Sequence, residues 1–284
     1  MNAKLIYLVY NQFIVESKTG GGKSLPGLYA HFLFGLKVKD LLPEELTHVI
    51  ENHKEEYLLG LQGPDLLFYY HPLRRKPVTG VKIHWEPASG FLKNAVCVLR
   101  EDGDEGGLAY IIGFICHFTL DSGCHPVIRD FMQQDGLSHA AIEAEFDRLL
   151  MRRQKIDPDR FSPKPLIPKG SGATACAEPF YPDAVRRQLD RSLLSMRCCL
   201  SILYSPRKTW KRMLKVLIFI AGFSKKGKGL VAGDAPDPEC SQALDHLLFV
   251  FSDALATAQE QIENFLSAVD GNAPLNARFS RNFE

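Results

Sequence analysis

The sequence predicts an all-α protein, and three observations support this class. Apolar residues recur at intervals of three and four through most of the chain, which is the spacing of one helix face. Alternating apolar and polar residues, which indicate strands, are nearly absent, and no internal repeat is seen. With 284 residues, of which 45% are hydrophobic and 24% charged, the chain is long enough to bury a substantial core.

The predicted helices follow one another with short separations. In chain order they are PGLYAHFLFGLKV (26–38), LPEELTHVIENHKEEYLLGLQGPD (42–65, as one or two helices), PASGFLKNAVCVLRED (87–102), GGLAYIIGFICHFTLDSGCH (106–125), LSHAAIEAEFDRLLMRR (137–153), DAVRRQLDRSLLSMRCCLSILY (183–204), PRKTWKRMLKVLIFIAGF (206–223) and PECSQALDHLLFVFSDALATAQEQIENFLSAV (238–269).

Boundary residues justify these limits. Pro26 suits a first helical turn, and Gly63-Pro64 is a strong stop, after which residues 65–80 are expected to form a loop. The turn-like DGDEGG separates the third and fourth helices, and Ser138 is a plausible cap for the fifth. Pro126 biases the residue before it away from helical geometry, so His125 is expected at the end of its helix or just past it. The last dozen residues are expected to fray.

Composition divides the chain into four predicted parts. Residues 1–24 form a flexible leader, residues 25–154 a helical core whose histidines and carboxylates are predicted to bind metal, and residues 155–182, with six prolines, a Pro/Gly-rich loop. Residues 183–271 are expected to complete the same domain with C-terminal helices. The TGGGKS stretch in the leader lacks the first glycine of a phosphate-binding loop and the strand that should precede it, so that interpretation is not favoured.

Charge and cysteine content narrow the class of protein. The 34 basic and 33 acidic residues balance, so the whole chain carries no field that favours nucleic acid. Seven cysteines, an odd number, are not a disulfide framework and predict reduced thiols and a cytoplasmic location. No signal peptide is predicted, and no apolar run reaches the roughly 20 residues that span a bilayer. No transmembrane segment is therefore expected.

Ionisable residues on the fourth and fifth helices point to a metal. His117, Asp121 and His125 are four residues apart, which keeps them near one face of a helix that is otherwise apolar. His139 and Glu143 repeat this spacing on the next helix. Burial of several ionisable groups is unfavourable unless they are paired or bind a metal, and imidazoles with carboxylates suit zinc. A helical face with internal hydrogen bonds remains the alternative.

Other residues complete a family pattern. His31 lies in YAHFLFG on an apolar helix, Asp65 in GPD after a helix stop, and His84 in VKIHWEP, which is expected to be extended. Together with CHFTLDSGCHP and HAAIE, these motifs resemble the zinc-dependent phospholipase C family, whose fold is shared with zinc-dependent single-strand nucleases. The resemblance covers roughly residues 25–150. It implies a multi-helix phospholipase C/nuclease-like bundle with a metal cleft between helices.

The resemblance also implies ligands for two or three zinc ions. One ion would be bound by residues that match Asp65, His84, His117 and Asp121. A second would be bound by residues that match His125, His139 and Glu143. A third would use His31 and the bridging Asp121, although the processed N-terminal ligand of secreted members has no counterpart here because some thirty residues precede His31.

The implied activity is hydrolysis of a phosphodiester by a metal-activated water, with Asp65 as a ligand that also orients or deprotonates the water. The alternatives are a nuclease or other phosphoesterase, or a non-catalytic metal-binding or interaction protein on the same fold. Residues 205–229 contain eight Lys/Arg, no acid and Trp210, which suits a peripheral contact with anionic lipid, although a helix packed in the core with solvated basic ends is favoured. No nucleic-acid recognition motif is found.

Overall fold

The computed structural model describes residues 27–70, 79–203 and 237–284. The predicted leader, the predicted helix 206–223 and the basic segment 205–229 lie outside the described residues. The α-helices are α1 (Leu28–Lys39), α2 (Glu44–Asn52), α3 (Lys54–Gly60), α4 (Thr79–Trp85), α5 (Ala88–Asp102), α6 (Glu105–Gln134), α7 (His139–Arg153), α8 (Gly172–Ala177), α9 (Arg186–Leu203) and α10 (Ser241–Val269). Short 3₁₀ helices cover Gly63–Tyr69, Lys164–Leu166, Glu178–Phe180, Pro238–Cys240 and Ala277–Ser280.

These elements confirm the all-α class, since the described residues contain helices and no strand. The four predicted parts of the chain stay a prediction. A single hydrophobic core joins residues from Leu28 to Phe283, and the stretch 155–182 contributes to it. Leu166 and Phe180, which lie in that stretch, are buried and belong to its short helical segments. This stretch was expected to be a loop, and apolar burial gives it more local structure than its prolines indicate.

Helix α6 is the centre of the fold. It packs most extensively against α3 on one side and α10 on another, and it also contacts α1 and α7. Its first turn is capped by Asp104, whose side chain accepts a hydrogen bond from Gly107 N at 2.7 Å. Nearly all side chains from Ala109 to Asp121 are buried, as the apolar pattern predicts.

The expected end of α6 at His125 is wrong. The helix continues through Pro126 to Gln134, with Ile128 and Phe131 buried beyond the proline. A proline inside a helix costs about 3 kcal/mol because one backbone hydrogen bond is lost and its ring crowds the preceding turn. Burial of the later turns on the core offsets this cost, so His125 lies in regular helix rather than at its end.

Only α6, among the described helices, is long and apolar enough to cross a membrane by length and composition, and 83% of its most apolar window is buried inside the protein. The core helix of a soluble protein meets the same criterion. The expected absence of a transmembrane segment therefore stays a prediction.

The chain after α10 is ordered against the core, so the expectation of a frayed end is wrong. Phe279 and Phe283 are fully buried, and Ala277–Ser280 forms a 3₁₀ helix. The side chain of Asn276 begins this helix by accepting a hydrogen bond from Arg278 N at 2.9 Å. Burial of Phe279 and Phe283 thus fixes the position of this otherwise polar stretch against the core.

Candidate metal centre

All eight residues predicted as metal ligands meet in one cleft. The cleft lies where α1, α4, α6, α7 and the Gly63–Tyr69 helix converge. Each of these side chains is within 3.9 Å of another member of the set, as measured between a histidine nitrogen and a carboxylate oxygen; the members are His31, Asp65, His84, His117, Asp121, His125, His139 and Glu143. Their role as ligands stays a prediction, whereas their convergence is a property of the fold.

The shared face on α6 provides the middle of the cleft. His117 Nε2 lies 3.1 Å from Asp121 Oδ2, and His125 Nε2 lies 3.9 Å from Asp121 Oδ1. Because the helix stays regular through Pro126, the four-residue steps place all three side chains on one side. Asp121 therefore lies between the two histidines of its own helix.

The first group of donors joins Asp65, His84 and His117, whose ligand atoms lie within 4.8 Å of one another. Asp65 lies in the first turn of the Gly63–Tyr69 helix, and its Oδ1 is 2.8 Å from His84 Nε2. The expectation that His84 is extended is wrong, since it lies in the last turn of α4. The ring of Phe68 stacks on His84 with centroids 4.8 Å apart, which fixes the imidazole from one side.

The second group joins His125, His139 and Glu143. His139 Nε2 lies 3.0 Å from Glu143 Oε1, and His125 Nε2 lies 3.8 Å from the same oxygen. Ser138 occupies the cap position of α7 as predicted, although its hydroxyl makes no cap hydrogen bond. The side chain of His139 is 17% exposed, more than any other member of the eight, so this end of the cluster lies nearest to solvent.

The third group joins His31, His117 and Asp121. His31 Nε2 lies 3.1 Å from Asp121 Oδ1, and the rings of His31 and His117 stack with centroids 4.3 Å apart. The family resemblance implied only His31 and Asp121 here, and the structure adds His117. Asp121 thus lies next to histidines from all three groups.

A residue absent from the sequence predictions holds His31 in place. Asp147, on α7, accepts hydrogen bonds from Tyr29 N at 3.1 Å and from Ala30 N at 2.8 Å. These N–H groups belong to the first turn of α1, whose cap position is Gly27, a residue with no side chain to accept them. Asp147 therefore acts as a cap from 117 residues away and sets α1 against the helix that carries His139 and Glu143.

We expect Asp147→Ala to lower the free energy of unfolding by about 2–4 kcal/mol, because two buried N–H groups would lose their acceptor. Urea titration of the zinc-free protein measures this change. Burial raises the pKa of Asp147 to about 7 against the effect of the two N–H groups, so neutral Asn is the matched control. The two N–H groups use different oxygens of Asp147, so Asp147→Asn retains one of the two acceptors and should lose about half as much; equal losses would contradict the capping role.

Backbone carbonyls orient three of the histidines. His84 Nδ1–H donates to Gly80 O at 2.7 Å, His117 Nδ1–H to Leu61 O at 3.1 Å, and His125 Nδ1–H to Phe283 O at 2.7 Å. A carbonyl only accepts, so each Nδ1 carries a proton and each Nε2 is the nitrogen that faces the cleft. Metal-binding histidines are held in this way.

A metal ion fits these residues. His117 Nε2 is fully buried and lies 3.1 Å from Asp121 Oδ2 without the geometry of a hydrogen bond, although a buried nitrogen of this kind normally has a hydrogen-bond partner. Three groups of imidazole nitrogens and carboxylate oxygens converge on this region without a cysteine, a donor set that suits zinc at a catalytic site.

The electrostatics of the cleft favour charge separation between imidazoles and carboxylates. Burial alone would raise the pKa of Asp121, but His117, His125 and His31 hold it well below its ordinary value. Burial likewise opposes ionisation of Glu143, yet His139 and His125 lower its pKa to about 2. Both carboxylates are therefore anionic and able to bind a cation without first losing a proton.

We expect zinc binding to the metal-free protein at pH 7.5 to release at least one proton. Burial alone would lower the pKa of His125, but Asp121 and Glu143 raise it to about 10, so its imidazole is protonated at this pH and must lose a proton to bind zinc. Calorimetric titrations in buffers with different ionisation enthalpies measure the number released. Identical enthalpies in phosphate and Tris would contradict this prediction.

Sequence patterns could have indicated the two supporting residues that were missed. Asp147 is the third member of a four-residue series that begins with His139 and Glu143. Phe283 is the second of two phenylalanines spaced by four in an otherwise polar end, a spacing typical of an anchored segment. Neither pattern indicates which distant residue is contacted.

The fold and the cleft define an all-α protein with a candidate multinuclear site built from histidines and carboxylates. The family described as zinc-dependent phospholipase C matches residues 30–185, and the chain belongs to this family. The matched range contains all eight members of the cluster and extends beyond residue 150, where the motif resemblance ended. No curated protein and no solved structure matches the chain.

Proposed function

We propose that the protein hydrolyses phosphodiesters with zinc, and that its substrate is a phospholipid cleaved on the glycerol side of the phosphate. The observation that carries this proposal is the sharing of Asp121 among histidines of three donor groups in one buried cleft. Membership of the zinc-dependent phospholipase C family supports the class of reaction.

When bound, zinc would lower the pKa of a water molecule and stabilise negative charge on the phosphate oxygens. The chain contributes a carboxylate for the proton of that water. Asp65 is buried at the start of a 3₁₀ helix, and its Oδ1 lies 2.8 Å from His84. We assign Asp65 two roles, as a ligand and as the group that orients the water and accepts its proton at a carboxylate oxygen.

The residues support a site for two ions, with a third at His31, His117 and Asp121. That third group shares His117 with the first group, so the two groups compete for the one nitrogen of His117 that faces the cleft. The cluster lies nearest to solvent at His139, which we propose as the side from which substrate enters.

A cytoplasmic location is proposed from the cysteines, all seven of which are free. Peripheral contact with a lipid surface through residues 205–229 remains part of the proposal, and that segment lies outside the described residues. An anionic surface would attract its eight basic side chains.

Activity on three substrates tests the proposal. Zinc-loaded protein is assayed with bis-p-nitrophenyl phosphate, a choline phospholipid and single-stranded DNA. We expect turnover of the first two, and a fall of about 10²–10⁴-fold for Asp65→Asn because the proton acceptor is lost. Cleavage of DNA but not phospholipid would favour the nuclease alternative. A zinc-loaded protein inert on all three would support a non-catalytic metal-binding protein.

A further inference from the structure

The chain end forms a strap, residues 276–284, that runs behind the metal cleft. Ala88 N donates to Arg281 O at 3.0 Å, and Phe283 N donates to His84 O at 3.2 Å. Ala88 is the first residue of α5, and His84 lies in the last turn of α4, so the strap satisfies backbone groups that helix ends leave without a partner. These two hydrogen bonds fix the register of the strap against both helices.

The ring of Phe283 supports two of the predicted ligands from behind. It is fully buried, and its centroid lies 5.1 Å from the ring of His84 and 6.0 Å from the ring of His117. Phe114 and Phe118, on α6, pack edge-to-face against it at 5.7 and 5.2 Å. The aromatic ring therefore fills the space between the helix that carries His84 and the helix that carries His117.

The backbone of Phe283 acts on a third histidine. Its carbonyl accepts the hydrogen bond from His125 Nδ1–H at 2.7 Å, from a position 158 residues away in the chain. His84 finds its acceptor in its own helix, and His117 finds one beside α3. His125 depends on the strap alone for this contact, so the direction of its Nε2 toward Glu143 is set by residues outside the predicted donor set.

We propose that Phe283 is a positioning residue of the metal centre, whose carbonyl fixes the tautomer and ring orientation of His125 and thereby stabilises the ion bound with His139 and Glu143. This inference rests on the proposed metal site but not on turnover, because it concerns zinc affinity. Loss of a hydrogen-bond partner behind a metal-binding histidine lowers metal affinity by about 10–100-fold. The effect should fall on the second group, since His84 and His117 keep their own carbonyl acceptors.

A truncated chain that ends at Arg281 tests the proposal, with Glu284→Gln as a second control because Glu284 Oε2 also lies 4.0 Å from His125 Nδ1. Competition with a zinc chelator measures the affinity of each class of bound zinc. We expect the zinc bound with His139 and Glu143 to weaken by about 10–100-fold, and to weaken more than the zinc at His84 and His117, which loses the packing of the ring but keeps its carbonyl acceptors. Unchanged affinity in every class, or equal weakening of all classes, would overturn the proposal.

Phe279→Ala is the matched control. Phe279 is fully buried in the same strap and packs on Phe118 with centroids 5.7 Å apart, and no described ring contact or hydrogen bond joins it to a predicted ligand. It should lower the melting temperature and leave the zinc affinities unchanged. If Phe279→Ala weakens the same class of zinc as truncation does, the strap acts only through stability and the proposal fails.

Measurements on full-length protein keep the proposal testable if the truncated chain does not fold. In zinc-loaded protein with ¹⁵N-labelled histidine, NMR should show the proton of His125 on Nδ1, and a proton on Nε2 would overturn the proposal. Phe283→Leu keeps the carbonyl and much of the apolar volume, so its zinc affinities should stay within about threefold of wild type. A tenfold or larger loss in this variant would show that the ring, and not the carbonyl, controls the site.

Discussion

Asp121→Asn is expected to reduce bound zinc from two or more ions to one or fewer, and to lower kcat/KM by about 10³-fold, or ~4 kcal/mol of transition-state stabilisation. Asp121 Oδ1 lies 3.1 Å from His31 and 3.9 Å from His125, and Oδ2 lies 3.1 Å from His117 and 3.9 Å from His84. Asparagine keeps the shape of the side chain but removes its negative charge. It also replaces one carboxylate oxygen with an N–H₂ group, which cannot bind a metal ion.

Elemental analysis and a phosphodiesterase assay measure the two effects of this substitution. Asp130→Asn is the matched control, because Asp130 lies on the same helix and is exposed to solvent. It should keep both the zinc content and the activity of the wild type. Retention of two zinc ions and full activity by Asp121→Asn would rule out the bridging role.

Gly113→Ala is expected to lower the free energy of unfolding by about 3 kcal/mol or more, at the upper end of the range for overpacking. A Cβ on Gly113 would lie 2.5 Å from Tyr57 O and 2.9 Å from Leu61 N, both backbone atoms of the neighbouring segment. Gly60 is the reciprocal contact, where a Cβ would lie 2.0 Å from Tyr110 O. Backbone atoms cannot change rotamer, so α3 and α6 would have to move apart.

Gly90→Ala is the control for this second substitution. A Cβ at Gly90 would meet nothing within 4 Å, and the residue is helical, so alanine should stabilise the protein by about 0.4–1 kcal/mol. Urea unfolding measures both variants. In Gly113→Ala, the separation of α3 from α6 would also move Leu61, whose carbonyl orients His117. Equal stabilities for the two variants would contradict the close helix contact.

The cluster was predictable from the sequence where ligands share a helix. His117, Asp121 and His125 follow the helical repeat, and so do His139 and Glu143, because a helix fixes relative positions over one or two turns. His31, Asp65 and His84 lie on three other elements, and no local rule places them. Their grouping came from the motif resemblance.

The errors in local structure have a common physical cause. A helix of seven residues, such as Thr79–Trp85, has little intrinsic stability, so packing of His84 against Phe68 decides its conformation. Pro126 disfavours a helix, yet the buried turns around it override that preference. In both cases contacts between distant residues outweigh the local sequence.

The strap and Asp147 show the same limit more clearly. The hydrogen bond from His125 to Phe283 O joins residues 158 apart in the chain, and the one from Ala30 N to Asp147 joins residues 117 apart. A single sequence shows that an aromatic or acidic residue stands in a given place, but not which backbone group it will meet. These contacts become visible only when the helices are assembled.

The most direct test of the central claim is elemental analysis of the protein purified without added metal. A multinuclear zinc centre predicts at least two zinc ions per chain. Fewer than one zinc per chain in correctly folded protein would contradict the account.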